Sequence, residues 1–340
     1  MAKYQPVESI EYCGQTQLLD NIQRRTTPLV IRGLVADWPL VTLAQAPQEA
    51  VEYLIGKQAQ QYVFINEASA ESLGRFFYTA DMLDKNFTQT PKPLPEFLAT
   101  LRERSQFSQQ DTAVPSFQYM ASTSVDYCFP TLLNEHPLPL PLPQPLISAW
   151  LGTQSIAATH FDVPENIACN AFGRRRFTLF PPDQVNNLYI GPMDLTPAGQ
   201  PVSMVEVNEP DLAQYPKFYD AMEKGFQVTL EPGDALYIPS MWWHNVEALD
   251  SVNLLINYWW QSTPNYKGAP MDALHHAILA IKDRPDTERH AWKALFDHYV
   301  FNYKKEDFDY IADAALGMLD EISEDQARKL RADLLQRLNK

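Results

Sequence analysis

The sequence predicts a mainly β protein with α-helical additions, in which a sandwich or barrel of short strands lies between an α/β lead-in and a helical tail. About eight β-prone runs separated by turn residues fall between residues 146 and 260, as is typical of a sandwich or barrel. Strand and helix patterns alternate before this region. After it, apolar residues recur at helical intervals. Hydrophobic residues make up 45% of the 340, enough for a sizeable core.

The lead-in, residues 1–115, combines two strand patterns with two helix patterns. Residues 27–34 form a β run that ends near Gly33, and residues 62–66 form a second. Helical spacing is present over 46–57 and 95–104, and the second helix begins with proline, whose missing N–H is tolerated there. We expect the lead-in to pack on the barrel and not to form a separate enzyme.

The barrel region, residues 116–262, contains the strand patterns and one insertion. Residues 181–225 interrupt the strands, with helical patterns over 183–188 and 211–224, and this insertion is expected to border the site. A run of alternating prolines from Pro137 to Pro145 predicts an extended connector, because proline cannot donate to a strand ladder. The predicted strands are 116–121, 146–152, 154–162, 165–172, 174–180, 226–230, 235–239, 244–249 and 252–260.

The tail, residues 263–340, is predicted to be helical. Apolar residues at helical intervals indicate helices over 271–282, 288–299, 310–319 and 323–338, with Pro285 and Ser323 as boundary signals. Such a tail either covers one end of the barrel or pairs with a second copy of itself. We favour the second alternative, a homodimer through the C-terminal helices.

Charge and cysteine content restrict the class of partner and the compartment. Lys and Arg number 27 and Asp and Glu 42, so the net charge of −15 disfavours binding to nucleic acid, although a local basic patch stays possible. The cysteines Cys13, Cys128 and Cys169 match no metal or redox spacing and are typical of reduced thiols. No signal-peptide core or membrane span is evident. We expect a cytoplasmic protein without a membrane partner.

Two histidines and one aspartate are the candidate metal ligands. In an extended strand His160 and Asp162 point to the same side, because side chains two residues apart share a face. A turn and a short strand downstream lead to His244. Two histidines and one carboxylate form the facial triad of non-haem Fe(II) oxygenases. A buried polar cluster without metal is the alternative.

The longer segments around these residues resemble the JmjC and cupin-like family of Fe(II)- and 2-oxoglutarate-dependent oxygenases. Within it, the resemblance is closest to the asparaginyl hydroxylases that inhibit hypoxia-inducible factor. It implies a double-stranded β-helix (cupin or jelly-roll) barrel, with His160, Asp162 and His244 on iron and with 2-oxoglutarate and O2 as cosubstrates. The matching segments are His160-Phe161-Asp162, Asn166, Gly173 to Gln184, Gly233 to Pro239, Trp242-Trp243-His244 and Asn257-Tyr258-Trp259.

The resemblance also implies five cosubstrate-binding residues. Arg175 stands where the related hydroxylase has the lysine that binds the far carboxylate of 2-oxoglutarate, and its guanidinium can form two parallel hydrogen bonds. Tyr119 matches a phenol that binds the same carboxylate, with a core tyrosine as the alternative. Asn166 and Asn257 match cavity amides, and Trp259 matches a wall residue.

Two further points concern the same site. The three arginines at 174–176 could be a solvated basic run, but a strand cannot point all of them outward. The family has a threonine in contact with 2-oxoglutarate where this chain has Ala157. Thr159 points the same way as Ala157 only if the strand is regular.

These observations predict a dioxygenase that hydroxylates a protein side chain, or another macromolecular or small substrate, and releases succinate and CO2. The alternatives are a non-catalytic cupin that binds a metal or small molecule, and a tRNA-modifying hydroxylase. The prime substrate does not follow from the residues.

Overall fold

A computed structural model describes residues 4–14, 17–106 and 116–339 of the chain. The chain divides into two units, Met1–Trp260 and Gln261–Lys340. The first unit contains both the predicted lead-in and the predicted barrel. The expected boundary between those two, at residue 115, lies outside the described residues and stays a prediction, as do the other domain limits.

The described part of the first unit contains fifteen strands, several of them short. Their bounds are β1 Gln5–Pro6, β2 Ser9–Glu11, β3 Leu29–Arg32, β4 Tyr62–Ser69, β5 Arg75–Phe76, β6 Phe87–Pro93, β7 Ser116–Ser124, β8 Leu146–Gly152, β9 Ser155–Phe161, β10 Glu165–Phe172, β11 Arg175–Phe180, β12 Phe226–Leu230, β13 Ala235–Ile238, β14 Trp243–Ala248 and β15 Asn253–Trp260.

These strands form two sheets that enclose a cavity. The six-stranded sheet has the order β1-β12-β11-β14-β9-β5, and the nine-stranded sheet has the order β2-β3-β13-β10-β15-β8-β7-β4-β6. Side chains from both sheets line the same cavity. The predicted mainly β class with a jelly-roll barrel is therefore confirmed.

Helices occur in both units. Those of the first unit are α1 Leu18–Gln23, α2 Pro39–Thr42, α3 Pro47–Ile55, α4 Leu94–Arg104, α5 Val125–Cys128, α6 Leu132–Glu135 and α7 Phe218–Lys224. Those of the second are α8 Pro270–Ile281, α9 Asp286–Phe296 and α10 Glu324–Leu338.

Strand β10 shows how the core is divided between the two faces of the larger sheet. It lies between β13 and β15 and is buried along almost its whole length, as expected of a central strand covered on both faces. Ile167 and Cys169 pack in the same cluster as Phe97 of α4, whereas Ala168 packs with Phe177 of the opposite sheet. The lead-in helices thus cover the outer face of the sheet, and the barrel interior lies on the other.

The structure adds a strand that the sequence did not indicate. Strand β6 contains Pro91 and Pro93, and proline argues against a central strand. Among the described strands it pairs with β4 alone, at the edge of the nine-stranded sheet. An edge strand needs hydrogen bonds on one side only, so it tolerates both prolines.

Two predicted helices of the insertion and the tail differ from the structure. The helix expected over 211–224 begins only at Phe218, after Pro210 and Pro216, because proline interrupts helical hydrogen bonding. The helix expected over 310–319 is wrong: only single 3₁₀ turns occur there, at Asp313–Ala315 and Gly317–Leu319. Gly317 adopts a φ of 57°, in the left-handed region, which ends a right-handed helix.

The tail unit has its own small core. Phe308 is fully buried and lies against the rings of His298, Tyr299 and Tyr303. Ser323 begins α10 with a capping box that involves Gln326, which confirms the predicted boundary. Among the helices that the structure describes, none is long and apolar enough to cross a membrane.

Candidate metal centre and adjoining cavity

Three side chains, two of them only two residues apart in sequence and the third far downstream, converge at one end of the cavity. One ligand atom each from His160, Asp162 and His244 lie within 4.8 Å of one another. The Nε2 atom of His244 is 3.6 Å from Oδ2 of Asp162. This spacing lets one ion contact all three side chains, and two imidazoles with one carboxylate suit Fe(II) with open coordination positions.

Strand pairing brings the two histidines together. His160 on β9 is the register partner of His244 on β14, and the next pair along the strands is Ala157 with Val246. Three residues of β9 therefore match two of β14, which is a β-bulge. The bulge lets both Ala157 and His160 face the cavity, while Thr159 is fully buried elsewhere. The strand is therefore not regular. Thr159 does not supply the hydroxyl that the threonine at the position of Ala157 provides in the family that the sequence resembles.

Backbone carbonyls hold both imidazoles in the tautomer that a metal ligand needs. Nδ1 of His160 lies 2.8 Å from the Ala158 carbonyl, and Nδ1 of His244 lies 2.9 Å from the Trp242 carbonyl. A carbonyl only accepts, so each Nδ1 carries the proton and each Nε2 keeps its lone pair. Burial, with a smaller effect of the neighbouring His160, lowers the pKa of His244 to about 4. His244 is consequently neutral near pH 7.

All eight residues singled out from the sequence line this cavity. Its free space is about 640 Å³, counted out to the open mouth. Further lining residues that were not singled out include Trp150, Ser155, Phe177 and Val246. Strand periodicity could have indicated Trp150, which is two residues before Gly152 on a predicted strand.

The floor of the cavity on the six-stranded sheet is organised in rows across β9, β14 and β11. The metal ligands His160 and His244 form one row. A middle row, Ala157, Val246 and Phe177, is wholly apolar. A far row consists of Ser155, Ala248 and Arg175. Four residues along β14 separate the first row from the far row, about 13 Å at the usual strand rise. The cavity is thus polar at both ends and apolar between them.

Arg175 is a buried cation without a protein counter-ion. The side chains of its neighbours are paired, Arg174 with Asp250 and Arg176 with Glu247. Among the described residues, no carboxylate lies within ion-pair distance of Arg175, and its Nε atom has no hydrogen-bond partner. Burial lowers its pKa to about 10, so it is still charged at neutral pH. A buried unpaired charge is unfavourable, and an organic anion in the cavity would relieve it.

The two asparagines form a hydrogen-bonded pair in the wall of the same cavity. Asn257 Nδ2 donates to Asn166 Oδ1 at 2.7 Å. Asn257 Oδ1 and the indole nitrogens of Trp150 and Trp259 are buried without partners among the described residues. These groups can hydrogen-bond a ligand in the cavity.

Tyr119 reaches the cavity from the opposite sheet. Its ring packs edge-on against Phe76, with centroids 4.5 Å apart. Burial raises the pKa of its phenol, and a hydrogen bond with Asn66, its register partner on β4, partly opposes that shift. Tyr119 thus lines the cavity as well as packing on Phe76, and its hydroxyl is protonated at neutral pH.

Together the two ends of the cavity fit a divalent metal and an elongated acid. The metal end offers two imidazole nitrogens and a carboxylate, the other end offers an unpaired donor on Arg175, and the walls add unpaired indole donors on two tryptophans. A ligand that matches both ends has a metal-chelating head, an apolar middle and an anionic tail.

Comparisons with known proteins agree with this geometry. A sequence model of the family described as cupin-like domain matches residues 15–266. The chain is 32% identical over 117 residues to "Lysine-specific demethylase JMJ31" of Arabidopsis thaliana, covering 34% of this chain and 21% of that protein. It is 26% identical over 274 residues to "tRNA wybutosine-synthesizing protein 5" of Gallus gallus, covering 76% and 78% respectively.

A third relative is "Jumonji C domain-containing protein 5" of Drosophila melanogaster, 29% identical over 198 residues, which cover 58% of this chain and 45% of that protein. The matched part of this chain thus spans less than half the length of the plant and fly proteins. The expected closeness to asparaginyl hydroxylases is not tested by these similarities and stays a prediction.

Proposed function

Since this chain belongs to the cupin-like domain family, which includes the JmjC oxygenases, we propose that it is an Fe(II)- and 2-oxoglutarate-dependent dioxygenase that hydroxylates a second substrate. One observation carries the proposal. A two-histidine, one-carboxylate cluster and a buried arginine without a counter-ion lie at opposite ends of one cavity.

The proposed roles of the side chains follow from their places in the cavity. His160, Asp162 and His244 would hold the iron on one side and leave its other positions for 2-oxoglutarate and O2. With 2-oxoglutarate and O2 present, the iron would supply the oxidising power that inserts one oxygen atom of O2 into a C–H bond, while the other oxygen atom would enter succinate and CO2 would be released. Arg175 and Tyr119 would bind the far carboxylate, by charge-assisted and neutral hydrogen bonds respectively.

Other residues would orient the cosubstrate and exclude water. The Asn166–Asn257 pair and the Trp259 indole offer hydrogen bonds inside the cavity, and the apolar middle row would contact the methylene groups of the acid. A cavity with these walls keeps bulk water away from the metal, which strengthens the electrostatic interactions inside it.

The substrate class we propose is a protein side chain, in keeping with the acidic net charge of −15. A tRNA base is the second candidate, because similarity to a tRNA wybutosine-synthesizing protein extends over 76% of the chain. Stimulation of succinate release above its substrate-free rate, by added tRNA or by a peptide library, separates the two. Binding of a metal without turnover would instead support the non-catalytic alternative.

The test of the proposed activity is an anaerobic titration of the protein with Fe(II) and 2-oxoglutarate, followed by measurement of succinate after O2 is admitted. We expect stoichiometric binding of both and slow succinate release even without a second substrate. Asp162→Ala should lose the metal, while Asp126→Ala, an exposed acid on α5, should retain it. A folded protein that binds neither component would rule out the proposal.

We also propose that the tail forms a homodimer. Helices α8 and α9 have no buried residue, and large apolar side chains such as Leu279 and Leu335 are exposed on the tail. Apolar helix faces of this kind are typical of surfaces that associate with a partner. We retain the cytoplasm as the proposed compartment, since Cys128 and Cys169 are buried thiols.

A further inference from the structure

The β-bulge between β9 and β14 lies directly beside the metal ligand His160. The register of the two strands places Ala158 and Thr159 of β9 opposite a single residue of β14, Asn245. A bulge interrupts the ladder of hydrogen bonds between two strands, and buried backbone carbonyls at such a place need donors from elsewhere. The donors that the bulge uses therefore help to determine the backbone conformation next to the metal site.

One carbonyl of the bulge bonds to the metal ligand itself. Nδ1 of His160 lies 2.8 Å from the carbonyl oxygen of Ala158, two residues earlier on the same strand. Because a carbonyl only accepts, this contact holds the proton on Nδ1 and leaves the lone pair on Nε2 for a metal. The tautomer of His160 thus depends on the direction in which the Ala158 carbonyl points.

The carbonyls on either side of Ala158 have donors of their own. The side chain of Asn245 donates from Nδ2 to the Ala157 carbonyl at 2.9 Å, and the backbone N–H of Ser203 donates to the Thr159 carbonyl at 2.8 Å. The bulge is thus held on both sides of Ala158. Of these two contacts, the one made by Asn245 depends on the identity of a side chain.

Asn245 itself lies outside the cavity. Its neighbours on β14, His244 and Val246, line the cavity, and alternation along the strand places Asn245 on the opposite face. It is only 3% exposed. A buried amide in this place does not contact a ligand in the cavity, so any effect on the site passes through the backbone of β9.

We propose that Asn245 is a positioning residue for His160 and that it acts through the bulge. Its amide fixes the Ala157 carbonyl, which holds β9 in the bulged conformation and keeps the Ala158 carbonyl directed at Nδ1 of His160. The Nε2 lone pair then faces the metal site. This inference rests on the metal site of the proposed function, but its consequence for the His160 tautomer holds without a metal.

The first measurement determines the histidine tautomers of the metal-free full chain. Long-range ¹H–¹⁵N spectra of ¹⁵N-histidine-labelled protein at pH 8.5, about two units above the ordinary histidine pKa, show which ring nitrogen carries the proton. His160→Gln and His244→Gln assign the two signals. Asn245→Leu keeps a similar volume without a donor, and in it His160 should lose its single Nδ1–H tautomer. His244, which bonds to the Trp242 carbonyl outside the bulge, should keep its own.

The second measurement is the Mn(II) affinity of the full chain by calorimetry. Asn245→Leu should weaken Mn(II) binding about tenfold, as is usual when a group that orients a metal ligand is lost. Asn245→Ala removes the donor without adding methyl groups and should change the His160 tautomer and the Mn(II) affinity in the same direction. Agreement between the two variants excludes a local effect of the leucine side chain.

Two controls separate positioning from general destabilisation. Thr178→Val removes a fully buried hydroxyl on β11 that pairs in register with Asn245 and accepts from Gln227 Nε2 at 2.9 Å, one strand farther from β9. It should lower the melting temperature but leave Mn(II) affinity unchanged. Thr159→Val removes a buried hydroxyl beside His160 that has no hydrogen-bond partner among the described residues, and it should change neither the tautomer nor the affinity.

The outcomes separate this inference from the proposed function. If the wild type binds Mn(II) and both Asn245 variants keep the wild-type His160 tautomer, the assignment of Asn245 is wrong and the proposed function stands. Equal loss of Mn(II) affinity in Asn245→Leu and Thr178→Val would also overturn the assignment, because it would indicate a general effect of weakening the sheet. If the wild type binds no metal, the proposed function fails, whereas the His160 tautomer still tests the role of Asn245.

Discussion

His160 and His244 are register partners on neighbouring antiparallel strands, and the centroids of their rings lie 4.4 Å apart. Their separation is set by backbone hydrogen bonding between β9 and β14, so the metal ligands are positioned by the sheet and not by a flexible loop. The neighbouring bulge adjusts which residues of β9 face the cavity. A site built on strands in this way can hold its geometry before a ligand arrives.

Replacing Arg175 with methionine should raise the stability of the ligand-free protein but weaken its binding of 2-oxoglutarate. The substitution removes a buried cation that has no counter-ion among the described residues, so the ligand-free protein should gain stability, by about 1 kcal/mol. Binding of 2-oxoglutarate should fall at least tenfold. Urea unfolding measures the change in stability, and calorimetry measures the change in binding.

The control is Arg174→Met, which removes an arginine paired with Asp250 and should leave the affinity for 2-oxoglutarate unchanged. Undiminished 2-oxoglutarate affinity in Arg175→Met would contradict the assigned role.

Gly152→Ala should displace Tyr119 from the cavity. A Cβ atom at residue 152 would lie 2.5 Å from both the Gln118 carbonyl oxygen and Tyr119 Cβ, closer than atoms can pack. We expect a loss of about 1–3 kcal/mol in the free energy of unfolding and weaker binding of the acid. Gly56→Ala is the control, since its nearest neighbour would be at an ordinary 3.4 Å. If Gly152→Ala bound the acid as tightly as the wild type does, Tyr119 would not be needed in its present position for acid binding.

His136 should make the stability of the first unit depend on pH. The Leu40 N–H donates to its Nε2 at 3.3 Å and its Nδ1 lies 2.9 Å from the Leu132 carbonyl, so the buried ring is neutral. Burial lowers its pKa below the ordinary 6.5. The unfolded chain then binds the proton more readily than the folded one. The contribution of neutral His136 to the free energy of unfolding is therefore complete above pH 6.5 and is lost as the pH falls below that value.

The measurement for His136 is urea unfolding of the wild type and of His136→Gln at pH 7.5 and pH 5.5. Glutamine cannot take up the proton, so the variant should lose less stability between the two pH values than the wild type does. His276→Gln, at an exposed position on α8, should behave as the wild type. An identical pH dependence in the wild type and in His136→Gln would show that His136 does not titrate in this range.

Charged substitutions on α10 should dissociate the proposed homodimer. Leu335 and Leu338 are 62% and 55% exposed, and a charge in an apolar interface is strongly unfavourable. We expect Leu335→Glu with Leu338→Glu to convert a dimer into a monomer in light scattering, without loss of helix content. Lys329→Glu, a charge reversal on the same helix, tests whether net charge alone causes the change. A monomeric wild type would refute the dimer.

Much of the fold and of the site could be predicted from local patterns. Strands β8, β10 and β12 have the limits that alternation and turn residues indicate, because each carries its own periodicity and boundary signals. Edge strand β6 was missed because its prolines oppose a strand, and only its position at the sheet edge makes them acceptable. The helix expected over 310–319 failed because the left-handed conformation of Gly317 outweighs the apolar spacing.

The sequence by itself determined the residue types of the site and their local order: a histidine and an aspartate two apart on a strand, a later histidine, and an arginine between two others. Only the tertiary structure decided which side chains share a cavity. The bulge in β9 excludes Thr159, and pairing with the same alanine places Ser155 in one row with Arg175. The physical reason is that strand periodicity is local, whereas register and bulges depend on hydrogen bonds between strands distant in sequence.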